Sequence, residues 1–127
     1  MGYRSDVTAV FYVKEAKHFP VLKLWLDENF PMDTFHEYVR WFDRGMIFEE
    51  GDTKWYGDYE EVKAFNKATD NFKDLIEDFD NSPVEGQPMF LYEFVRVGEN
   101  YDDVETDHCG YHCEFILNVS RSINIDL

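Results

Sequence analysis

The feature that most constrains the fold is an amphipathic pattern between Val62 and Phe79. Its apolar residues recur at helical spacing and fall within an arc of about 140° at about 100° per residue. They are Val62, Phe65, Ala68, Phe72, Leu75, Ile76 and Phe79. Asp58 with Glu61 resembles a capping box, although Asp replaces the usual Ser or Thr, so we predict a helix that begins after Asp58. A helix with one broad apolar face must pack on a sheet or on other helices.

Five segments are predicted to be strands, and this helix would pack on the sheet that they form. Val7–Val13 is rich in β-branched and aromatic residues, which is typical of a strand buried on both faces. Gly51-Asp52 joins Met46–Glu50 to Thr53–Tyr56 and predicts a hairpin. In Met89–Val97 two sets of side chains occupy alternate positions and would face opposite sides, which predicts a strand. An acidic connection, residues 98–107, then leads to a final strand region from Cys113 to about Ile125.

Two further helices are predicted between the first strand and the hairpin. Pro20 suits a first helical turn, and Pro31 ends the segment. Its apolar face consists of Phe19, Leu22, Leu26 and Phe30. Asp33 is a candidate N-cap for a second, short helix. Apolar residues repeat in that helix at helical spacing, namely Phe35, Tyr38, Val39 and Phe42.

The order of these elements predicts an α+β fold. The first six main elements match the ferredoxin-like, split βαβ arrangement, which is an antiparallel sheet with helices packed on one face. The last strand is expected to be added to that sheet. A chain of 127 residues is expected to form a single domain, residues 1–127, because two halves would each be too small to bury a useful core.

The charge of the chain is its most unusual compositional property. Twenty-seven acidic residues against twelve basic ones give a net charge of −15. Eleven of the acids but only one base, Arg96, lie between Asp74 and Asp107. Nucleic acids and anionic membranes attract clustered Lys and Arg, so direct binding to either is not expected.

The N-terminal residues and the cysteines favour a cytoplasmic protein. Residues 1–6 lack the apolar run of a signal peptide, and no stretch approaches the roughly 20 apolar residues that span a bilayer. The chain has two cysteines, which in such a protein are expected to be free thiols.

Two clusters are candidates for metal binding, and each has a simpler interpretation. His108, Cys109, His112 and Cys113 are a legitimate zinc ligand set. In an extended segment, however, the two cysteines would lie about 13 Å apart, which is too far for both to bind one zinc ion. We therefore favour the end of a hairpin whose thiols have no ligand role over a zinc site or a disulfide. The carboxylates near residues 99–105 are of the type that holds Mg²⁺ or Ca²⁺, but the EF-hand spacing is absent and a solvated acidic loop is favoured. We expect no cofactor and no catalytic residue.

Aromatic residues suggest a third kind of site. Successive side chains of a strand face opposite ways, so one of Trp55 and Tyr56 should face away from the helices. Together with Tyr92 or Phe94 it would form an apolar patch if the far face of the sheet were open. The alternative is that these rings form a rim of the core.

Residues 1–7, Met-Gly-Tyr-Arg-Ser-Asp-Val, resemble the start of a group of small, mostly uncharacterised bacteriophage proteins. Two later segments fit the same resemblance: Lys54-Trp55-Tyr56, and residues 96–99 followed by residues 102–105. The resemblance implies a phage accessory protein made in the cytoplasm of a bacterial host. It transfers no catalytic residue.

These observations favour a non-enzymatic protein that binds a host protein with a basic surface, with a defence or nucleic-acid-handling factor as the expected kind of target. Complementary charge selects partners and speeds their association. The predicted binding surface consists of Asp74, Glu77, Asp78, Asp80, Glu99, Asp102, Asp103, Glu105 and Asp107. The alternatives are a small-ligand or nucleotide-binding domain and, third, a metal-dependent enzyme. The sequence does not predict an oligomeric state.

Overall fold

A computed structural model describes residues 2–100, 102–119 and 123–127 of the chain. The fold is α+β. In chain order the elements are β1 (Ser5–Val13), α1 (Phe19–Asn29), α2 (Met32–Phe35), β2 (Val39–Phe42), β3 (Gly45–Thr53), α3 (Glu60–Asn81), β4 (Phe90–Gly98), β5 (Val104–Cys109), β6 (Leu117–Val119) and β7 (Ile123–Ile125). None of the helices in these ranges combines the length and hydropathy needed to cross a membrane.

The main sheet has five strands in the order β2-β3-β1-β4-β5, and every neighbouring pair is antiparallel. The continuous apolar run of β1 predicted a strand buried on both faces, and β1 is the central strand. Six of its nine residues are buried apolar side chains, namely Val7 and Ala9–Val13, and the polar Ser5 and Thr8 are buried as well.

One face of the sheet is covered by the helices. Phe11 of β1 lies at the centre of this helix-side core, with its ring centroid 5.5 Å from that of Phe30 and 5.4 Å from that of Phe72. Phe48 and Phe65 pack at 5.0 Å. The predicted amphipathic helix is confirmed as α3, and its buried residues include five of the predicted apolar positions, namely Val62, Phe65, Ala68, Phe72 and Ile76.

The opposite face of the sheet is covered by residues 113–119 and 123–125, which we call the C-terminal segment. Side chains from three strands form a second apolar layer there: Val10, Tyr12, Ile47, Leu91 and Val95. Ile116 and Leu117 are buried against them, and β6 pairs with β7 in a separate two-stranded sheet above. The far face is therefore not open.

The predicted hairpin at Gly51-Asp52 is wrong. Both residues belong to the single long strand β3, and the β1–β3 register shifts between the pairs Ser5–Thr53 and Val7–Glu50. Gly51 and Asp52 form a β-bulge at this shift, and Asp52 has a positive φ of 51°. The Asp52 N–H donates to the Asp6 carboxylate at 2.9 Å. The same residue types mark turns and bulges, because both need unusual backbone angles.

The predicted helix from Asp33 to Phe42 is also only partly correct. It ends at Phe35 as α2, a 3-10 turn follows over His36–Tyr38, and Val39–Phe42 is strand β2. Val39 and Trp41 are β-branched and aromatic, which favours a strand, and pairing with β3 satisfies their backbone groups. Strands β2 and β3 thus form a hairpin.

The predicted position of the last sheet strand is wrong as well. The fifth strand is Val104–Cys109, which begins inside the predicted acidic connection (residues 98–107) and ends two residues beyond it, and it pairs with β4. Most of its residues are polar and exposed, as an edge strand permits, so it carries no alternating apolar pattern. The predicted strand region 113–125 instead holds β6 and β7, and residues 120–122 lie outside the described part of the chain.

Candidate functional site

A groove of about 690 Å³ runs between α3 and strands β4 and β5. It exists because α3 packs over the central strands, whereas β5 lies beyond them at the edge of the sheet. We call it the α3–β5 groove. Its polar and charged lining includes Tyr3, Asn66, Thr69, Asp70, Lys73, Arg96, Asp103, Glu105 and Asp107.

The floor of this groove is aromatic. Tyr92 and Phe94 project from β4 toward α3 and are only 2% and 7% exposed, so they do not contribute to a surface patch. Trp55 packs on Phe65 at 5.1 Å and is partly buried at the rim of the helix-side core. Tyr56 packs edge-on against Tyr59 at 5.2 Å. The predicted aromatic patch on an open sheet face does not form, and Trp55 takes the alternative place at the rim.

Lys73 of α3 crosses the middle of the groove to β5. Its Nζ donates to the Asp107 carboxylate and lies 5.4 Å from the centroid of the Tyr92 ring. A cation bound by a carboxylate and by an aromatic face is held by two attractive interactions. Burial, and next the charge of Asp107, raise the pKa of the Tyr92 hydroxyl.

Arg96 of β4 organises one end of the groove. Its guanidinium binds both carboxylate oxygens of Asp103, at 2.9 and 3.2 Å, and its Nε donates to Glu105 at 3.0 Å. The Tyr3 hydroxyl donates to the same Asp103 carboxylate at 2.6 Å. The hydrogen bonds from Arg96 and then from Tyr3 hold the pKa of Asp103 below its usual value.

The N-terminal residues, Tyr56 and the β4–β5 turn meet at this end of the groove. The Tyr3 N–H donates to the Tyr56 hydroxyl at 2.5 Å, and the Arg4 N–H donates to Glu99 at 2.7 Å. Arg96 also donates to Ser5 Oγ at 3.1 Å. Segments far apart in the sequence therefore form one hydrogen-bonded cluster around Asp103.

The charges of the groove favour a neutral or cationic ligand over an anionic one. Four of its carboxylates, from Asp70, Asp103, Glu105 and Asp107, face two cations, Lys73 and Arg96. Both cations are already bound to carboxylates of the groove. A phosphate entering the groove would have to break these ion pairs and approach the remaining negative charge.

Beside the groove, the exposed side of α3 carries four carboxylates, which we call the acidic stripe: Asp70, Asp74, Glu77 and Asp78. At about 100° per residue they fall within an arc of about 100°. All four are exposed, and the last turn of α3 contains no basic residue. Within the described ranges, none of the four takes part in a salt bridge.

The predicted acidic surface is thus divided into two kinds of residue. Asp103, Glu105 and Asp107 are bound by Arg96 or Lys73, so their charge is partly compensated. The others keep their charge without an ion pair among the described residues: Asp74, Glu77, Asp78, Asp80, Glu99 and Asp102. Asp74, Glu77 and Asp78 lie on α3, and Glu99 and Asp102 flank the β4–β5 turn.

The His-Cys cluster lies where β5 turns toward β6. Both cysteines are free thiols, and Cys113 Sγ donates to the Cys109 carbonyl at 3.0 Å. Burial, and next the charge of Glu77, raise the pKa of Cys109 to about 11. The His108 ring packs on Phe115, and His112 Nδ1 lies 3.4 Å from Lys14 Nζ. Among the described residues, no three His, Cys, Asp or Glu side chains are grouped so as to hold a metal ion.

Sequence reasoning missed a buried polar cluster on the opposite face of the sheet. Glu93 of β4 is 3% exposed and accepts hydrogen bonds from the Tyr12 hydroxyl at 2.6 Å and from the Leu117 N–H at 3.0 Å. The Tyr12 hydroxyl accepts from the Glu114 N–H at 2.8 Å. The available signal was one acid within an otherwise apolar segment, residues 89–95.

In comparisons with known proteins, no family model, curated protein or solved structure matches this chain.

Proposed function

We propose that this protein acts without catalysis, by binding a protein with a basic surface through the acidic stripe and the neighbouring α3–β5 groove. The observation that carries the proposal is the placement of charge on α3. Asp70 and Asp74, and Asp74 and Asp78, are like charges four residues apart, which destabilises a helix. Acids near the helix C-terminus also oppose the helix dipole. An arrangement that costs folding stability is explained by a role in binding.

The kind of partner follows from the chemistry of the stripe and from the resemblance to phage proteins. A basic groove that binds nucleic acid would attract a dense row of carboxylates. We therefore propose a phage accessory protein that acts in the bacterial cytoplasm and inhibits a defence or nucleic-acid-handling factor of the host. Direct binding to nucleic acid or to a membrane forms no part of the proposal.

We also propose the finer description of the fold, a ferredoxin-like split βαβ arrangement with β5 added. It is supported by the strand order β2-β3-β1-β4. The units β1-α1-β2 and β3-α3-β4 each leave one antiparallel strand between the two strands that they connect.

Affinity capture from a bacterial lysate tests the proposed function. The immobilised protein is loaded at about 50 mM salt and eluted in steps to about 500 mM, over which the Debye length falls from about 14 to about 4 Å. The test variant combines D74N, E77Q and D78N. The control combines E28Q, E37Q and D43N, which removes the same charge from exposed positions outside the stripe.

We expect the captured partner to elute early in the salt steps, to be lost by the stripe variant, and to be kept by the control. Capture that survives the highest salt, or that the stripe variant retains in full, would contradict the proposal. Equal loss by both variants would show that only total charge matters and would also count against the stripe.

The second candidate is the binding of a small ligand in the α3–β5 groove. The volume of about 690 Å³ and the aromatic floor favour it. The paired cations favour a neutral or cationic ligand, so a nucleotide is the less suitable choice. In a thermal-shift screen, a ligand at about 100 times its Kd adds about 2.7 kcal/mol to the free energy of unfolding. A metal-dependent reaction has no grouped ligands among the described residues to support it.

A further inference from the structure

The open edge of the sheet at β5 has a defined hydrogen-bonding pattern. The Gly98 N–H donates to the Asp103 carbonyl at 2.8 Å, which places these two residues at the position of a hydrogen-bonded pair, and the Asp103 N–H closes the turn by donating to the Asn100 carbonyl at 3.0 Å. Such pairs alternate along an antiparallel ladder, and the β4–β5 register continues from this pair. The backbone groups of Val104, Thr106 and His108 therefore point outward, away from β4.

Two of the three outward N–H groups have local acceptors. The Val104 N–H donates to the Asp102 carbonyl at 3.1 Å, and the His108 N–H donates to the Asp107 carboxylate at 2.9 Å. Thr106 lies between them at the centre of the edge. Among the described residues β5 has a neighbouring strand on one side only. The N–H and carbonyl of Thr106 are thus placed to pair with an added strand.

The two faces of this edge differ in chemistry. Residues directly opposite in a ladder share a face, so Glu105 and Asp107, opposite Arg96 and Phe94, face the α3–β5 groove. Val104, Thr106 and His108 face the other way, toward a second groove of about 250 Å³ between β5 and β6. Apolar residues of that β5–β6 groove include Val95, Val104, Phe115, Leu117 and Val119.

Phe115 presents an exposed ring on the β5–β6 groove. Its side chain is 61% exposed, and its backbone has a positive φ of 53°, which is unusual for a bulky residue. The ring packs against His108 at 5.3 Å, where it borders the edge of β5. The ring therefore lies on sparsely populated backbone beside the open strand, where it can contact a segment bound to that strand.

We propose that β5 accepts an extended segment of the partner protein as a sixth strand, and that this segment alternates basic and apolar residues. Main-chain hydrogen bonds to Thr106 supply affinity, and the alternating side chains supply specificity. Lys or Arg side chains lie beside Glu105 and Asp107, and apolar side chains lie in the β5–β6 groove. The inference rests on the proposed function and identifies the part of the partner that is recognised.

A second copy of this chain does not fit the edge. Pairing β5 with itself would bring Glu105 and Asp107 close to the same carboxylates of the other copy, between two chains that each carry a net charge of −15. Like charges directly opposite in a sheet are destabilising. Charge complementarity therefore selects a basic strand.

Synthetic peptides test the inference directly. The probe is a peptide of about eight residues in which Lys and Val alternate, a length typical of strands. Its control has the same composition, with the lysines in one block and the valines in another, so net charge is equal. Affinity is measured by calorimetry at about 50 mM salt. Amide hydrogen exchange, followed by NMR, reports on Thr106 and His108.

Two variants of the protein complete the experiment. T106P removes the outward N–H at a strand edge, where proline is tolerated, without changing the charge. F115N removes the exposed ring, and L24N is its matched control, because Leu24 is also 61% exposed but lies on α1. F115N remains informative if T106P does not fold.

We expect the alternating peptide to bind about tenfold more tightly than the block peptide, and the Thr106 amide to gain protection from exchange. Binding should weaken about tenfold in T106P and severalfold in F115N, but not in L24N. Equal binding of the two peptides, no gain in protection at Thr106, or full binding by a folded T106P would overturn the inference.

The two proposals fail in different ways. Loss of partner capture by the stripe variant, together with full capture by T106P, would leave the acidic function standing and remove strand addition. Absence of salt-dependent capture by the wild-type protein would remove the function itself. Doubling of the mass in light scattering, with Thr106 protected before any peptide is added, would identify a second copy as the occupant and overturn the basic strand.

Discussion

Tyr12 is the residue that joins the central strand of the sheet to the C-terminal segment that covers it. Its buried hydroxyl donates to Glu93 on the neighbouring strand and accepts from the Glu114 N–H at the start of the C-terminal segment. The Arg44 guanidinium lies 5.6 Å from the Tyr12 ring centroid and binds Glu114 at 2.5 Å. Burial, and next the hydrogen bond to Glu93, raise the pKa of the Tyr12 hydroxyl, so it remains a proton donor at ordinary pH.

Replacing Tyr12 with Phe should lower the free energy of unfolding by about 1–3 kcal/mol, because a buried oxygen of Glu93 and the Glu114 N–H both lose a partner. Urea denaturation measures the change. Y111F is a suitable control, since the Tyr111 side chain is 83% exposed and its loss of a hydroxyl should cost less than about 0.5 kcal/mol. Equal stability of the two variants would mean that the hydroxyl of Tyr12 is not a structural link.

The thiol of Cys109 should react slowly with alkylating agents. A pKa of about 11 leaves far less thiolate at pH 8 than an ordinary thiol has. We expect iodoacetamide to modify Cys109 about a hundredfold more slowly in the folded protein than in the same protein unfolded in urea. Peptide mass spectrometry gives both rates. Similar rates would show that Cys109 is neither desolvated nor held near negative charge.

At the scale of secondary structure, α3 combines a well-packed inner face with an unfavourable outer one. The variant D74N/E77Q/D78N removes repulsion between charges four residues apart and the conflict of acids with the helix C-terminus. We expect its free energy of unfolding to rise by about 1 kcal/mol, although the proposed partner binding should be lost.

The control E28Q/E37Q/D43N should change the stability by less than about 0.5 kcal/mol, because its positions are exposed and outside the stripe. Urea denaturation of the two triple variants side by side makes the comparison. A stripe variant that is less stable than the wild-type protein would mean that the carboxylates of α3 serve folding.

The elements that were predictable from sequence are those whose own side chains meet the core. α1, α3 and β4 have apolar residues at the period of their structure, and β1 has a continuous apolar run, so each was placed close to its observed bounds. β2 and β5 are edge strands that depend on pairing with a neighbour. Their local sequences read as a helix and as an acidic loop, because register and pairing partners are not local properties.

The candidate site was predictable in composition but not in arrangement. The carboxylates were identified from their density, but their division into paired and unpaired groups depends on Arg96 and Lys73. Arg96 reaches Glu105 because β5 pairs with β4, and Lys73 reaches Asp107 by extending from α3 across the α3–β5 groove. Because the sequence of β5 predicts a connection, it predicts neither ion pair, and it places the last strand of the sheet at residues 113–125 instead.

For the molecule as a whole, the net charge of −15 opposes folding while favouring a basic partner. We expect the urea midpoint to rise between about 50 and about 500 mM sodium chloride, because screening weakens repulsion more than it weakens the exposed ion pairs. Over the same range, affinity for the proposed basic partner should fall. The stripe variant should show a smaller rise in midpoint, and a midpoint that falls with salt would contradict this account.

The two-layered core also has a consequence for synthesis. During translation the five-stranded sheet is complete once Cys109 has emerged, but its second apolar face stays exposed to water until Ile116, β6 and β7 fold over it. At that stage a nascent chain exposes an apolar surface, to which chaperones and other nascent chains can bind. Ribosome-stalled chains from whose exit tunnel residues 1–110 have emerged should therefore recruit ribosome-associated chaperones more strongly than chains in which β6 and β7 have also emerged.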